Sequence, residues 1–128
     1  DSASNCLHNT ALGKAYLSSL DPEQLKNKLK ALELPSKTPH TITAKKDLLA
    51  ELNIAHEQGY AKNIEEYLPG LIAIAPPLIA TRTGKGVGAV SLDISVLQVD
   101  VNDMEKNYAD LVCEVAGMLS SLIPPERN

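Results

Sequence analysis

Residues 71–99 restrict the fold more than any other stretch of this sequence. Two apolar runs flank the segment Thr81, Arg82, Thr83, Gly84, Lys85, Gly86. The runs are rich in Ile, Leu and Val, and the segment between them is polar and carries two glycines. This pattern predicts a strand over residues 71–80, a hairpin loop, and a second strand over residues 87–99, antiparallel to the first. Pro76 and Pro77 have no amide hydrogen to give to a ladder, so the first strand must lie at an edge or bulge there. Alternation assigns the faces. Ile72 and Ile74 point one way; Leu71, Ala73 and Ala75 point the other. On the second run, Val90, Leu92, Ile94 and Val96 oppose Ser91, Asp93 and Ser95.

Helical signals surround this hairpin. Leu12, Ala15, Tyr16, Leu17 and Leu20 recur with a helical period after Thr10, a good N-cap. Asp21 followed by Pro22 starts a second helix, with Leu25, Leu29 and Leu32 on one face and Pro35 as its stop. Residues 35–43, with two prolines and four hydroxyl side chains, read as a loop. Thr43 then caps a third helix that runs through Gln58, lined by Leu48, Leu52 and Ala55 and ended by Gly59. Residues 60–68 read as extended chain and Pro69-Gly70 as a turn. A final amphipathic helix over residues 102–123 would bury Met104, Tyr108, Leu111, Val115, Leu119 and Leu122, with Pro124 and Pro125 as its stop. Residues 1–9 read as a loose lead-in. Three helices, a hairpin and a helix make an α+β class, helices packed on an antiparallel sheet. Two strands are a thin platform, so either the sheet is small or strands supplied from upstream are absent.

Composition narrows the function. The 128 residues are the size of one domain, and the core must be aliphatic, because there are four Tyr and no Phe or Trp. A net charge of −4 argues against unaided binding of nucleic acid. Lys26, Lys28 and Lys30 suit a solvated helix face. No export segment is visible, so Cys6 and Cys113 read as free thiols in a cytoplasmic protein. The longest apolar run is about half the length of a membrane span, so no membrane role is expected.

Chemistry has few places to sit. Small Ala73 and Ala75 beside polar Ser91 and Asp93 would leave a concave, partly polar surface of the kind ligands use, although a sheet face open to water would read the same. The start of the first helix, where Gly13 allows close approach and the free amides favour an anion, is a second place; an ordinary capped helix is the alternative. Gly84, Gly86 and Gly88 lack a following helix and are no phosphate loop. Cys6 and His8, with His40, His56 or Cys113, match no standard metal spacing. Glu65 and Glu66 read as surface charge. No nucleophile has an evident partner, so no catalytic group, metal or cofactor is expected.

Four segments together resemble a known family. Residues 7–15, Leu-His-Asn-Thr-Ala-Leu-Gly-Lys-Ala, are similar to the helix start of the IclR-type regulators. Gly59-Tyr60 through Glu65-Glu66 to Gly70, then Ile74-Ala75-Pro76-Pro77, then Gly88-Ala89-Val90-Ser91-Leu92 resemble its next three motifs, in order. The likeness covers about residues 7–122. It implies a GAF-like or profilin-like effector-binding domain over residues 1–128, whose N-terminal helix and strands, and whose DNA-reading winged helix-turn-helix, lie outside this chain. It implies a small-molecule effector, often a carboxylate, and a homodimer or tetramer that contacts DNA only through the absent domain. Carried over singly, the family's pocket falls on Leu12 and Gly13 (backbone donors), Asn63, Leu71, Ala73, Ser91 and Asp93. Asn63, Ala73 and Asp93 depart from the residues of the better-known sensors, which puts the effector's identity in question. Asp93 would either meet a hydroxyl or amine of the effector or itself bond the Leu12 and Gly13 amides. The rival readings are a small enzyme using the same cleft and an assembly domain with an inert pocket.

Overall fold

The computed structural model describes residues 6–124. The first helix, α1 (Ala11–Ser18), begins as expected: the Thr10 hydroxyl accepts the Gly13 amide at 3.0 Å. The second, α2 (Pro22–Ala31), starts on Asp21, whose carboxylate accepts the Gln24 amide at 2.8 Å. It buries no residue completely; Leu25 and Leu29 rest half-buried on a leucine cluster with Leu17, Leu48 and Leu52, and its lysines face water. The third, α3 (Lys45–Gln58), starts one residue later than expected, on Ala44, without a side-chain cap, and ends on left-handed Gly59.

The expected hairpin is present, but each of its runs is split. Pro76 breaks the first run into β2 (Leu71–Ala75) and β3 (Pro77–Ile79), and the second divides into β4 (Gly86–Ala89) and β5 (Leu92–Ser95). The Val90 amide donates to the Pro76 carbonyl at 3.1 Å, so the kinked ladder stays continuous. A further strand, β1 (Ala61–Ile64), pairs antiparallel with β2. Sequence alone marks this segment only as extended chain, because its inward residues are Ala61 and Asn63 rather than large hydrophobes. The described strands thus form a three-stranded sheet, β1-β2-β5, and a two-stranded one, β3-β4.

The faces fall as alternation predicts. Ala61, Ala73 and Ala75 lie against Ala11, Ala15 and Ala55, so α1 and α3 cover one face of the larger sheet closely. Ile72 and Ile74 meet Met104 and Ala109 of the last helix, α4 (Val101–Ser121), on the other. Here the expected face of α4 holds at Met104 but fails at Leu111, Val115, Leu119 and Leu122. Met104, Ala109, Val112, Ala116 and Ser120 are buried, whereas Leu111 (55%), Met118 (63%) and Leu122 (76%) are exposed, with Val115 and Leu119. Both stripes are apolar. The one with small residues can approach the sheet closely, which gives close packing its contacts.

The lead-in expectation also needs correction. Residues 1–5 lie outside the described residues, but His8 and Asn9 are fully buried. Cys6 and Leu7 cross over Gly13 so closely that a Cβ there would lie 2.5 Å from the Leu7 Cα. The glycine is demanded by the chain's own crossing. Pro125, half of the expected stop after α4, lies outside the described residues.

Candidate functional site

The register places three of the seven site candidates in one row across the sheet: Asn63 opposite Ala73, and Ala73 opposite Asp93. The row lies on the face that α1 covers, with Ala73 packed in the cluster around Ala11. Leu71, half-buried, is two residues along β2 on the same face and pairs with Ser95. Ser91 lies just before β5, and its hydroxyl donates to the Asp93 carboxylate. Asn63 and Ala73 are buried, but Ser91 and Asp93 are exposed. β5 pairs only with β2 among the described residues, so this end of the row is open.

The start of α1 is tied to the row through Asn63. Its amide nitrogen donates to the Asn9 carbonyl at 2.9 Å, and its oxygen accepts the Glu66 amide at 2.8 Å. Of the first-turn amides, Gly13 is satisfied by Thr10, and the first intrahelical bond is that of Lys14. The amides of Ala11 and Leu12 therefore have no intrahelical acceptor. The expectation that Asp93 bonds the Leu12 and Gly13 amides is not met: Gly13 donates to Thr10, and Asp93 accepts from Ser91. The Leu12 side chain is 46% exposed. Neither of the two main cavities among the described residues is lined by any of the seven candidates.

A buried polar network beneath this site escaped the sequence reading. Lys14 is fully buried, and its ammonium donates to both Glu66 oxygens (2.9 and 3.1 Å) and to Glu51 (3.3 Å). Glu66 is 6% exposed, so it is no surface charge. Its carboxylate also accepts the Ile64 amide at 3.1 Å. The hydroxyls of Thr38 and Thr41 donate to the Glu65 and Glu66 carbonyls, both at 2.6 Å, and Glu65 accepts the Gly70 amide at 2.8 Å. The ion pair thus fixes the turn after β1 against α1, and with it the position of Asn63. The only available sequence signal was the combination of Lys14 in the first motif with Glu66 in the second. The side-chain amide of Asn9, whose backbone carbonyl accepts from Asn63, and the Nδ1 atom of His8 are buried without a hydrogen-bond partner among the described residues.

Two of the histidines weighed as metal ligands are engaged by backbone carbonyls. His8 Nε2 lies 2.9 Å from the Pro35 carbonyl and His56 Nδ1 3.2 Å from that of Ser18. Cys113 faces the Gly59 carbonyl, and no cluster of metal-binding side chains forms among the described residues. Both thiols are free. On the opposite face of the sheet, Glu105 of α4 accepts from Tyr60 (2.7 Å) and Lys62 (3.0 Å). Burial opposes ionisation of this carboxyl, but the two donors outweigh it and hold it below its ordinary range. Burial and the Glu105 carboxylate push the Tyr60 phenol up to about 12.

The family model for the bacterial transcriptional regulator IclR C-terminal region matches residues 3–121. This chain belongs to the IclR family. Among IclR relatives, it is 33% identical over 107 residues to the HTH-type transcriptional regulator KdgR of Dickeya chrysanthemi, covering 84% of this chain and 35% of that protein. It is 38% identical over 116 residues to the p-hydroxybenzoate hydroxylase transcriptional activator of Acinetobacter baylyi, covering 91% and 42%. The chain thus spans less than half the length of these IclR-family regulators. Solved IclR-type structures share its GAF-like α+β fold. The Thermotoga maritima IclR superposes with a TM-score of 0.83 at 33% identity, over 91% of this chain and 46% of that one. The inducer-binding domain of PobR from Acinetobacter, solved as a double mutant with 3-hydroxybenzoic acid, gives 0.83 at 28% identity, over 91% and 66%.

Proposed function

We propose that this chain is the effector-sensing part of a DNA-binding transcriptional regulator, and that the effector is held between the start of α1 and the Asn63–Ala73–Asp93 row. The observation that carries this reading is the row itself. A small side chain at Ala73 lies in register between two polar ones, on the face that α1 covers, and the amides of Ala11 and Leu12 at the start of that helix have no intrahelical acceptor. Leu12 supplies the helix start (the Gly13 amide is held by Thr10), Asn63, Ser91 and Asp93 the side-chain polarity, and Leu71 and Ala73 the apolar wall. The inducer-bound PobR relative supports a small-molecule ligand. DNA is contacted by a part of the longer protein outside these residues, and copies assemble as dimers or tetramers. The net charge of −4 and the HTH-type relatives support that division. We place the protein in the cytoplasm. Among the described residues no helix is long and apolar enough to cross a membrane.

Asp93 shapes the effector's chemistry. An anionic group about 4 Å from an ionised Asp93 would lose about 4 kcal/mol at an effective dielectric near 20, close to a thousandfold in affinity. The effector therefore turns hydroxyl or amine donors toward Asp93 and Ser91. Any acidic group it carries points to the amides of α1. Titration with polyols, amines and simple carboxylates, followed by calorimetry, tests this. Donor-bearing ligands should bind and weaken in Asp93→Ser. Tight binding of a simple carboxylate that ignores Asp93→Ser would overturn it.

A further inference from the structure

A cavity among the described residues lies at the other end of α1, away from the sheet face. Its volume is about 860 Å³, within the range of small-molecule sites. Leu20, Leu25, Leu29, Leu49 and Leu52 supply its apolar wall, drawn from the end of α1, from α2 and from α3. Leu49 is 41% exposed there, a leucine left uncovered on a lined concavity. The polar rim comes from Asn53 and His56 of α3, Lys26 of α2 and Lys85 of the hairpin loop. Asp21 is the acidic residue of the lining, and its carboxylate is engaged by the Gln24 amide as the α2 cap. Lys26 and Lys85 form no ion pair among the described residues, so the two lysines outnumber the single carboxylate of Asp21 and the net charge of the rim is positive.

We propose that this cavity is a second ligand site, distinct from the sheet-face site, and that it takes an amphipathic anion: an aliphatic body against the leucines and a carboxylate toward Lys85, Lys26 and His56. The assignment follows from complementarity. An apolar wall alone would accept any hydrophobe, and a basic rim alone any anion; together they select a molecule with both parts. The α2 helix, half-buried only through Leu25 and Leu29, forms one wall.

Octanoate, below its micellar range, is the probe, with octanol as the uncharged control. Calorimetry on the 128-residue chain should show saturable octanoate binding. Octanol should bind several-fold more weakly. Lys85→Glu, on the exposed hairpin, should weaken octanoate about tenfold, because one attraction becomes one repulsion. Leu49→Asp, at an exposed position of α3, should abolish it while leaving the circular dichroism spectrum unchanged. Asp93→Ser should leave octanoate binding as it is, which separates this site from the sheet-face proposal. The inference is overturned by no saturable binding, by equal binding of the parent and both cavity variants, or by octanoate binding that Asp93→Ser removes. A change of oligomeric state in Leu49→Asp without any octanoate binding in the parent would give the cavity to a second copy instead, and would overturn it too.

Discussion

Replacing Lys14 by Met keeps an unbranched apolar stem, one atom shorter, but removes the ammonium. In the native fold that ammonium is inaccessible to water and lies 2.9 and 3.1 Å from the two oxygens of a nearly buried Glu66. Glu66 would then keep the Ile64 amide at 3.1 Å as its remaining donor, an inadequate substitute for a full charge. Stripping one partner from a buried pair typically costs about 3–5 kcal/mol. The third contact, to Glu51, adds little, because that carboxylate is a third exposed at 3.3 Å and screened by water. Against a total of about 5–15 kcal/mol, this is a large share of the stability. Urea unfolding followed by circular dichroism should show the midpoint falling by roughly 2 M, with an unchanged slope of about 1–3 kcal/mol/M. Adding Glu66→Gln to Lys14→Met should return part of the loss, since the orphaned charge disappears while the Ile64 amide keeps an acceptor. A drop below about 1 kcal/mol in the single variant, the value of an exposed pair, would refute the reasoning.

Other outcomes follow from the same contacts. Gly13→Ala should destabilise by about 2–3 kcal/mol, because its methyl group would meet the Cys6–Leu7 backbone at 2.5–2.7 Å; thermal melting measures it, and a neutral result would mean the crossing is looser than described. Thr10→Ala should cost about 1 kcal/mol through the lost cap, read by urea titration, with Thr10→Ser restoring most of it. Glu105 is held below its ordinary 4.5, so the stability it contributes is present above that pH and is lost as the pH falls through its lowered value. Glu105→Gln should flatten the acid limb of a stability–pH curve. Tyr60 is displaced upward from 10.0 to about 12, so its contribution holds below pH 10 and disappears between the two values; a phenolate titrating near 10 by ultraviolet absorbance would contradict that contact.

Local signals carried the sequence reading where backbone chemistry is local. Thr10 and Asp21 cap their helices because a short oxygen side chain reaches an amide three residues on, and Gly59 adopts the left-handed end that other residues resist. Alternation sorted Ile72 and Ile74 from Ala73 and Ala75 correctly, because β2 is covered on both sides by helices of different bulk. Where partners are distant, the reading failed. α4 carries two apolar stripes, and only the sheet decides that the one with Ala109 and Ala116 faces inward. β1 went unseen because Ala61 and Asn63 face α1, and neither has the size that marks a strand. Glu66 read as surface charge because Lys14, 52 residues away, neutralises it. Gly13 suggested room for a ligand; the room is taken by Leu7. The row of Asn63, Ala73 and Asp93 came from family likeness, and pairing in register is what makes it a row.

Chemical-shift mapping of a labelled sample against whichever donor-bearing ligand raises the melting temperature most tests the sensor account directly. The largest amide shifts should fall on residues 11–13, 63, 73 and 91–93, and they should vanish in Asp93→Ser. If a saturating ligand instead moves resonances elsewhere and leaves that cross-strand row undisturbed, the sheet face is not the receptor.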